Sequence, residues 1–228
     1  MMRSRDYYEA RIAGWPAFSP PLLAMVGSAL FIGLMVPVGS STARMAQAGA
    51  ALVEVAFPLA TAISVASLTA RDAAVELHLS LPTHYRVTLF RRVCPVVGLS
   101  AVAALVAVGL LRAAGLWRPP HGTVVGQLAW LAPLAWLSAV ALVVGVALRG
   151  APAASALVAS LWLFELVIGE VFERARWLEL TYLFATTRSP EAGFWLGNRL
   201  MLLVSAALLA TGAWILLGRP DRLLGDGR

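Results

Sequence analysis

Residues 71–92, RDAAVELHLSLPTHYRVTLFRR, form the longest charged interruption between two strongly apolar runs, and their reading decides how the chain is arranged. On a helical wheel Asp72, Glu76 and Ser80 fall four residues apart on one face, while Ala74, Leu77 and Leu81 make a separate apolar face. Pro82, which has no N–H to donate, ends that helix. Thr83 can cap a second helix whose first turns carry Arg86, Arg91 and Arg92 before the sequence becomes apolar again. The stretch reads as a short amphipathic helix outside a membrane, followed by a basic stop.

Composition points the same way. Hydrophobic residues make up 60% of the 228 and the mean hydropathy is +0.79, which places the chain in the membrane class. A hydrocarbon core of about 30 Å takes about 20 apolar residues per helix, so this length accommodates six spans joined by short connections. The fold class expected is all-α integral membrane, a single transmembrane domain over 1–228, with no sizeable soluble domain. All 18 positive residues are Arg, giving a net charge of +6. They cluster where membrane ends are expected rather than in a stripe with interleaved aromatics, so nucleic-acid binding is disfavoured. The single Cys94 excludes an internal disulfide and is expected to be a packing residue.

In order, residues 1–17 carry Arg3, Arg5 and Arg11, with Tyr8, Ile12 and Trp15 on one face, as an interfacial helix would. Apolar runs follow at about 18–38 and about 48–69, the second holding Glu54 and Pro58. The polar segment 70–92 separates them from a third run at 93–111. A Pro-containing connection through Trp117, Pro119, Pro120 and His121 leads to runs at 126–148 and 151–171, which the tight turn at Arg149 makes an antiparallel pair. Residues 172–196 mix acids, Arg and aromatics and suit short, re-entrant or half-buried helices; a sixth run spans 197–218. The side holding the N-terminus, the 70–92 segment, Arg149 and the tail carries Arg3, Arg5, Arg11, Arg71, Arg86, Arg91, Arg92, Arg149, Arg219, Arg222 and Arg228. The other carries Arg44, Arg112, Arg118, Arg174, Arg176, Arg188 and Arg199. The excess places both termini and the 70–92 segment in the cytosol and 172–196 outside.

The segment Glu76-Leu77-His78-Leu79-Ser80-Leu81-Pro82 resembles the E-L-x-L-S-L-P segment of type 2 ATP-binding-cassette exporter permeases, where it is the cytosolic coupling helix between the second and third spans. The resemblance covers the whole chain as architecture and only this segment as sequence; an ordinary interfacial loop helix is the plainer reading of the same residues. It implies a bacterial plasma-membrane permease whose Asp72, Glu76, Leu77, Leu79, Ser80, Leu81 and Pro82 dock on a separate ATPase subunit. It further implies a second permease copy, identical or related, and ATP with Mg bound by the ATPase, leaving no cofactor on this chain. The alternative is a non-transporting membrane scaffold or an intramembrane enzyme.

The chain has no Lys, so it cannot build a P-loop of its own. His78, His84 and His121 form no ligand spacing, and a metal site is not expected. Serines in the apolar runs, with no histidine beside them, more often bond a helix carbonyl than act as nucleophiles. Glu54 and Glu165 are different, because a carboxylate inside a span costs about 2.5 to 3.5 kcal/mol on insertion scales. Each lies about six residues inside the outer end of its run, hence ~9 Å deep at ~1.5 Å per residue. The resemblance makes both candidates for the translocation path; the alternative is structural pairing with an Arg or a backbone group.

Overall fold

A computed structural model describes residues 15–35, 41–69, 85–117, 121–148, 150–169, 172 and 178–218. Among these residues the regular structure is entirely helical. The helices are α1 (Trp15–Met35), α2 (Thr42–Leu68), α3 (Tyr85–Ala113), α4 (Leu128–Leu148), α5 (Ala151–Val167), the single turn α6 (Ala185–Arg188) and α7 (Trp195–Leu217). Four are long and apolar enough to cross a membrane: Thr42–Leu68, Tyr85–Ala113, Val125–Leu148 with its leading 3-10 turn, and Trp195–Leu217. Ala17–Leu30 within α1 and Ala151–Val167 are shorter apolar helices. The expected run boundaries shift accordingly: Trp15 and Pro16 open α1 rather than closing a separate interfacial helix, and the basic residues Arg86, Arg91 and Arg92 ride on α3 itself. Residues 1–14 and the segment 70–84, which the resemblance makes a coupling helix, lie outside the described residues.

α2 is the centre of the bundle. It packs on α1, α3, α4 and α5, while α4 packs on α2, α5 and α7. Val53, Phe57, Ala62, Val65 and Ala66 of α2 are fully buried, and Ala132, Leu134, Leu137, Ala141 and Leu142 of α4, the helix packed on it, are buried in the same core. Small residues permit the closest approaches. A Cβ on Gly145 of α4 would fall 1.8 Å from Thr69 Oγ1, just past the end of α2, so only glycine lets these two elements touch there. Outward faces are apolar: Leu23, Val26, Leu30 and Leu34 on α1, and Val102, Leu105, Val106 and Leu110 on α3, are exposed. In water such stripes would be an aggregation hazard, whereas in lipid they are the expected surface. Cys94 belongs to this outward face, in register with Arg91, Gly98 and Val102, and is exposed rather than packed as the sequence suggested.

Four serines on the helices behave as membrane-helix serines should, while the buried Ser138 Oγ on α4 meets no partner among the described residues. Ser28, Ser64, Ser100 and Ser205 each donate to the carbonyl four residues earlier, at 2.7 to 2.9 Å. Contacts between helix termini define two ends of the bundle. At one, Arg86 and Phe90 from the start of α3 meet Trp214 near the end of α7, through a cation–π contact of 4.9 Å and an edge-on ring pair at 5.0 Å. At the other, the start of α2 meets Leu111 at the end of α3, and the end of α5 meets the start of α7 through the segment between them.

Candidate functional site: a buried polar cluster under a short helix

Pro58 sets up the site from within α2. It has no N–H for the carbonyl of residue 54, and its ring would strike that carbonyl in a regular α-helix. The helix relaxes through a π-turn at Leu52–Ala56, and within it the side chains of Val53 and Glu54 are both buried. Glu54 is 2% exposed.

Its carboxylate is fully used. Oε1 accepts from the Thr186 N–H at 2.8 Å, and Oε2 from the Thr187 N–H at 2.7 Å and the Thr187 hydroxyl at 2.5 Å. Thr186 and Thr187 are the second and third residues of α6, so a side chain 132 residues away supplies the acceptors that the opening N–H groups of this one-turn helix lack. The fourth partner is Arg199 in the first turns of α7, whose Nη2 forms a salt bridge with Oε1. Arg199 is 0% exposed, so its charge is balanced inside the bundle and not at a surface. The same guanidinium donates from Nη1 to the Leu183 carbonyl at 3.2 Å and from Nη2 to Thr186 Oγ1 at 2.9 Å. It lies 5.6 Å from the ring of Trp195.

The rest of the segment is tied down by its neighbours. Glu165, near the end of α5 and likewise buried, accepts from the Leu183 N–H at 2.8 Å. Asn198 donates to the carbonyls of Glu179 and Tyr182, both at 2.8 Å, closing the 3-10 turn Glu179–Thr181 onto α7. Trp195 donates to Thr186 Oγ1 at 3.0 Å and stacks on His121 at 5.2 Å. His121 itself holds φ at +57°, in the left-handed region that side chains other than glycine seldom occupy. Arg188, the last residue of α6, donates to the Leu166 carbonyl at 3.0 Å and so satisfies part of the open carbonyl end of α5. Gly169 is required there, since a Cβ would lie 2.6 Å from both Arg188 Nη1 and the Tyr182 hydroxyl.

The two carboxylates singled out by sequence are therefore brought to one element, three residues apart along its backbone, by α2 and α5. Glu54 pairs with both an Arg and backbone N–H groups; Glu165 meets a backbone N–H. Arg199, counted with the charges of the outer side though it falls inside the sixth run, is buried in α7 and faces Glu54 rather than a membrane surface. Asn198, Thr186, Thr187 and Trp195 were not foreseen as site residues. The adjacent Asn198–Arg199 pair at the start of an apolar helix was the available signal, since polar side chains inside a membrane helix turn toward the protein.

Chemically, the arrangement holds rather than reacts. Thr186 Oγ1 spends its lone pairs on two donors, and the Glu54 carboxylate accepts from Arg199 and three further donors. Arg199 Nε and Asn198 Oδ1 meet no partner among the described residues, the two open positions in an otherwise satisfied network. Among the described residues no three His, Cys, Asp or Glu side chains gather as metal ligands would. In comparisons with known proteins, the chain matches no family model, no curated protein and no solved structure.

Proposed function

We propose that the chain is the membrane subunit of an ATP-binding-cassette exporter, a six-span permease of a bacterial plasma membrane with both termini in the cytosol. Working with a second permease copy, it moves its substrate outward with energy from ATP hydrolysed, with Mg, on a separate subunit. The observation that carries this reading is the sequence Glu76-Leu77-His78-Leu79-Ser80-Leu81-Pro82 standing between the second and third apolar helices of an otherwise lipid-facing bundle. There Asp72, Glu76 and Ser80 offer a polar docking stripe to the ATPase. The polar cluster gives the reading a mechanical counterpart at the opposite end of α2. Force applied beyond Thr69 travels along α2 to the π-turn at Leu52–Ala56, where Glu54 grips α6 and Arg199. A buried ion pair costs several kcal/mol to separate, so this end stays shut until the partner's ATP-driven motion shifts α2. Glu54 and Glu165 then act on the pathway as parts of its outer closure.

A non-transporting scaffold is the competing reading. It draws on one observation, the near-complete satisfaction of the Glu54 cluster, which suits a static bundle equally well. Purification of the tagged chain from its native membrane separates the two. A permease brings a P-loop ATPase with it, and the reconstituted pair shows ATP-dependent efflux that Glu76→Arg uncouples; a scaffold does neither.

A further inference from the structure

Beside the polar cluster lies a cavity of about 330 Å³ lined by Ala46, Gln47 and Ala50 of α2, Leu116 and Trp117 beyond α3, and Thr186 to Arg188 with Pro190 around α6. Its volume is at the lower end of the roughly 300 to 1,000 Å³ of small-molecule sites, enough for a headgroup and too small for a whole lipid. The wall has two characters. Ala46, Ala50, Leu116 and Pro190 are apolar, whereas Gln47 and Trp117 bring hydrogen-bond donors. Trp117 is 8% exposed, yet its indole N–H meets no acceptor among the described residues. A buried donor without an acceptor costs about 1 to 3 kcal/mol, which an acceptor-bearing occupant recovers. Charge selects among such occupants. Among the described residues that line the cavity none is acidic, Arg188 forms part of its wall, and Arg44, exposed one turn before Gln47 on α2, carries a second positive charge on that helix. Glu191, next to Pro190 and exposed, offsets one of the two.

We propose that this cavity binds the anionic headgroup of a membrane amphiphile, its acceptor oxygens meeting the Trp117 N–H and the Gln47 amide and its first methylenes meeting the apolar wall. The site is lined by Thr186 and Thr187, the residues that Glu54 holds, so occupancy stabilises the docked position of α6. The proposal does not depend on the transport reading, because a headgroup site serves a scaffold as well as a permease.

The test uses the full-length protein purified in neutral detergent, with melting followed as dihexanoyl phosphatidylglycerol, dihexanoyl phosphatidylcholine or inorganic phosphate is added. Phosphatidylglycerol raises the Tm of the wild type, and the other two do not. Trp117→Phe, which keeps a ring and removes only the N–H, weakens the apparent affinity for phosphatidylglycerol about tenfold or more, as loss of a hydrogen bond to a charged acceptor requires. Ala46→Phe fills the cavity without touching a hydrogen bond and abolishes the shift; it decides the matter if Trp117→Phe folds poorly. Equal protection by phosphatidylcholine, equal protection by phosphate, or protection by phosphatidylglycerol that survives both substitutions overturns the proposal.

Discussion

Replacing Glu54 by Gln is the sharpest probe of the polar cluster, because the change is nearly isosteric and its cost is purely electrostatic. Four donors converge on the carboxylate: the Thr186 and Thr187 N–H groups, the Thr187 hydroxyl and Arg199 Nη2. A carboxamide has one oxygen and one NH2. With its oxygen toward Arg199 and Thr186, its NH2 faces the Thr187 N–H; with the amide turned over, the NH2 faces the guanidinium itself. Either way at least one buried donor meets another donor, and Arg199, with no exposure, keeps a charge without a counter-charge. Removing one partner of a buried pair costs about 3 to 5 kcal/mol. At roughly 2 to 4 °C per kcal/mol for a chain of this size, the Tm of the purified protein falls by on the order of 10 °C. The partner substitution completes a cycle: Arg199→Gln alone is destabilising, and the double variant recovers about 2 kcal/mol or more relative to the sum of the singles, because no lone charge remains. A Glu54→Gln protein that melts within about 2 °C of the wild type, or a double variant whose loss equals that sum, refutes the reasoning.

Glu165 behaves differently, since a carboxamide oxygen still accepts from the Leu183 N–H: Glu165→Gln leaves the Tm nearly unchanged, whereas Glu165→Leu costs about 1 to 3 kcal/mol, read from melting curves. Gly145→Ala drives a methyl into Thr69 and destabilises by about 1 to 3 kcal/mol, and Thr69→Gly restores part of the loss in the same assay. His121→Ala loses the stack on Trp195 and keeps a strained backbone; His121→Gly loses the stack but frees the backbone, so the Gly variant melts above the Ala variant by the equivalent of about 0.5 to 1 kcal/mol.

Part of the architecture was legible because lipid imposes blunt rules on sequence. All six apolar runs hold helices, but only four of these are long and apolar enough to cross a membrane, and the described part of the aromatic-rich segment before the last run forms a 3-10 turn and a one-turn helix. Glu54 and Glu165 could be singled out because charge within such a run is costly enough to require a reason. Pairing with an Arg or a backbone group was one of two readings, and the particular partners could not be read. Arg199 lies 145 residues from Glu54 in sequence, and an Arg at the edge of an apolar run is ordinarily an interfacial anchor. The π-turn that buries Glu54 follows from Pro58, yet proline in a membrane helix is compatible with a kink, a π-turn or neither. The capping of α6 by a side chain from α2 is a long-range relation with no local signature at all.

The most direct measurement of the functional claim is site-directed crosslinking from position 76. With Glu76→Cys in a Cys94→Ala background, the chain is expressed in its native membrane and treated with a short bifunctional thiol reagent, and the products are identified by mass. A permease gives a crosslink to a P-loop ATPase that is diminished when Asp72 and Ser80 are both replaced by Arg. Efficient labelling of the introduced thiol from the cytosol with no ATPase attached, in a membrane where the chain is correctly folded, contradicts the account.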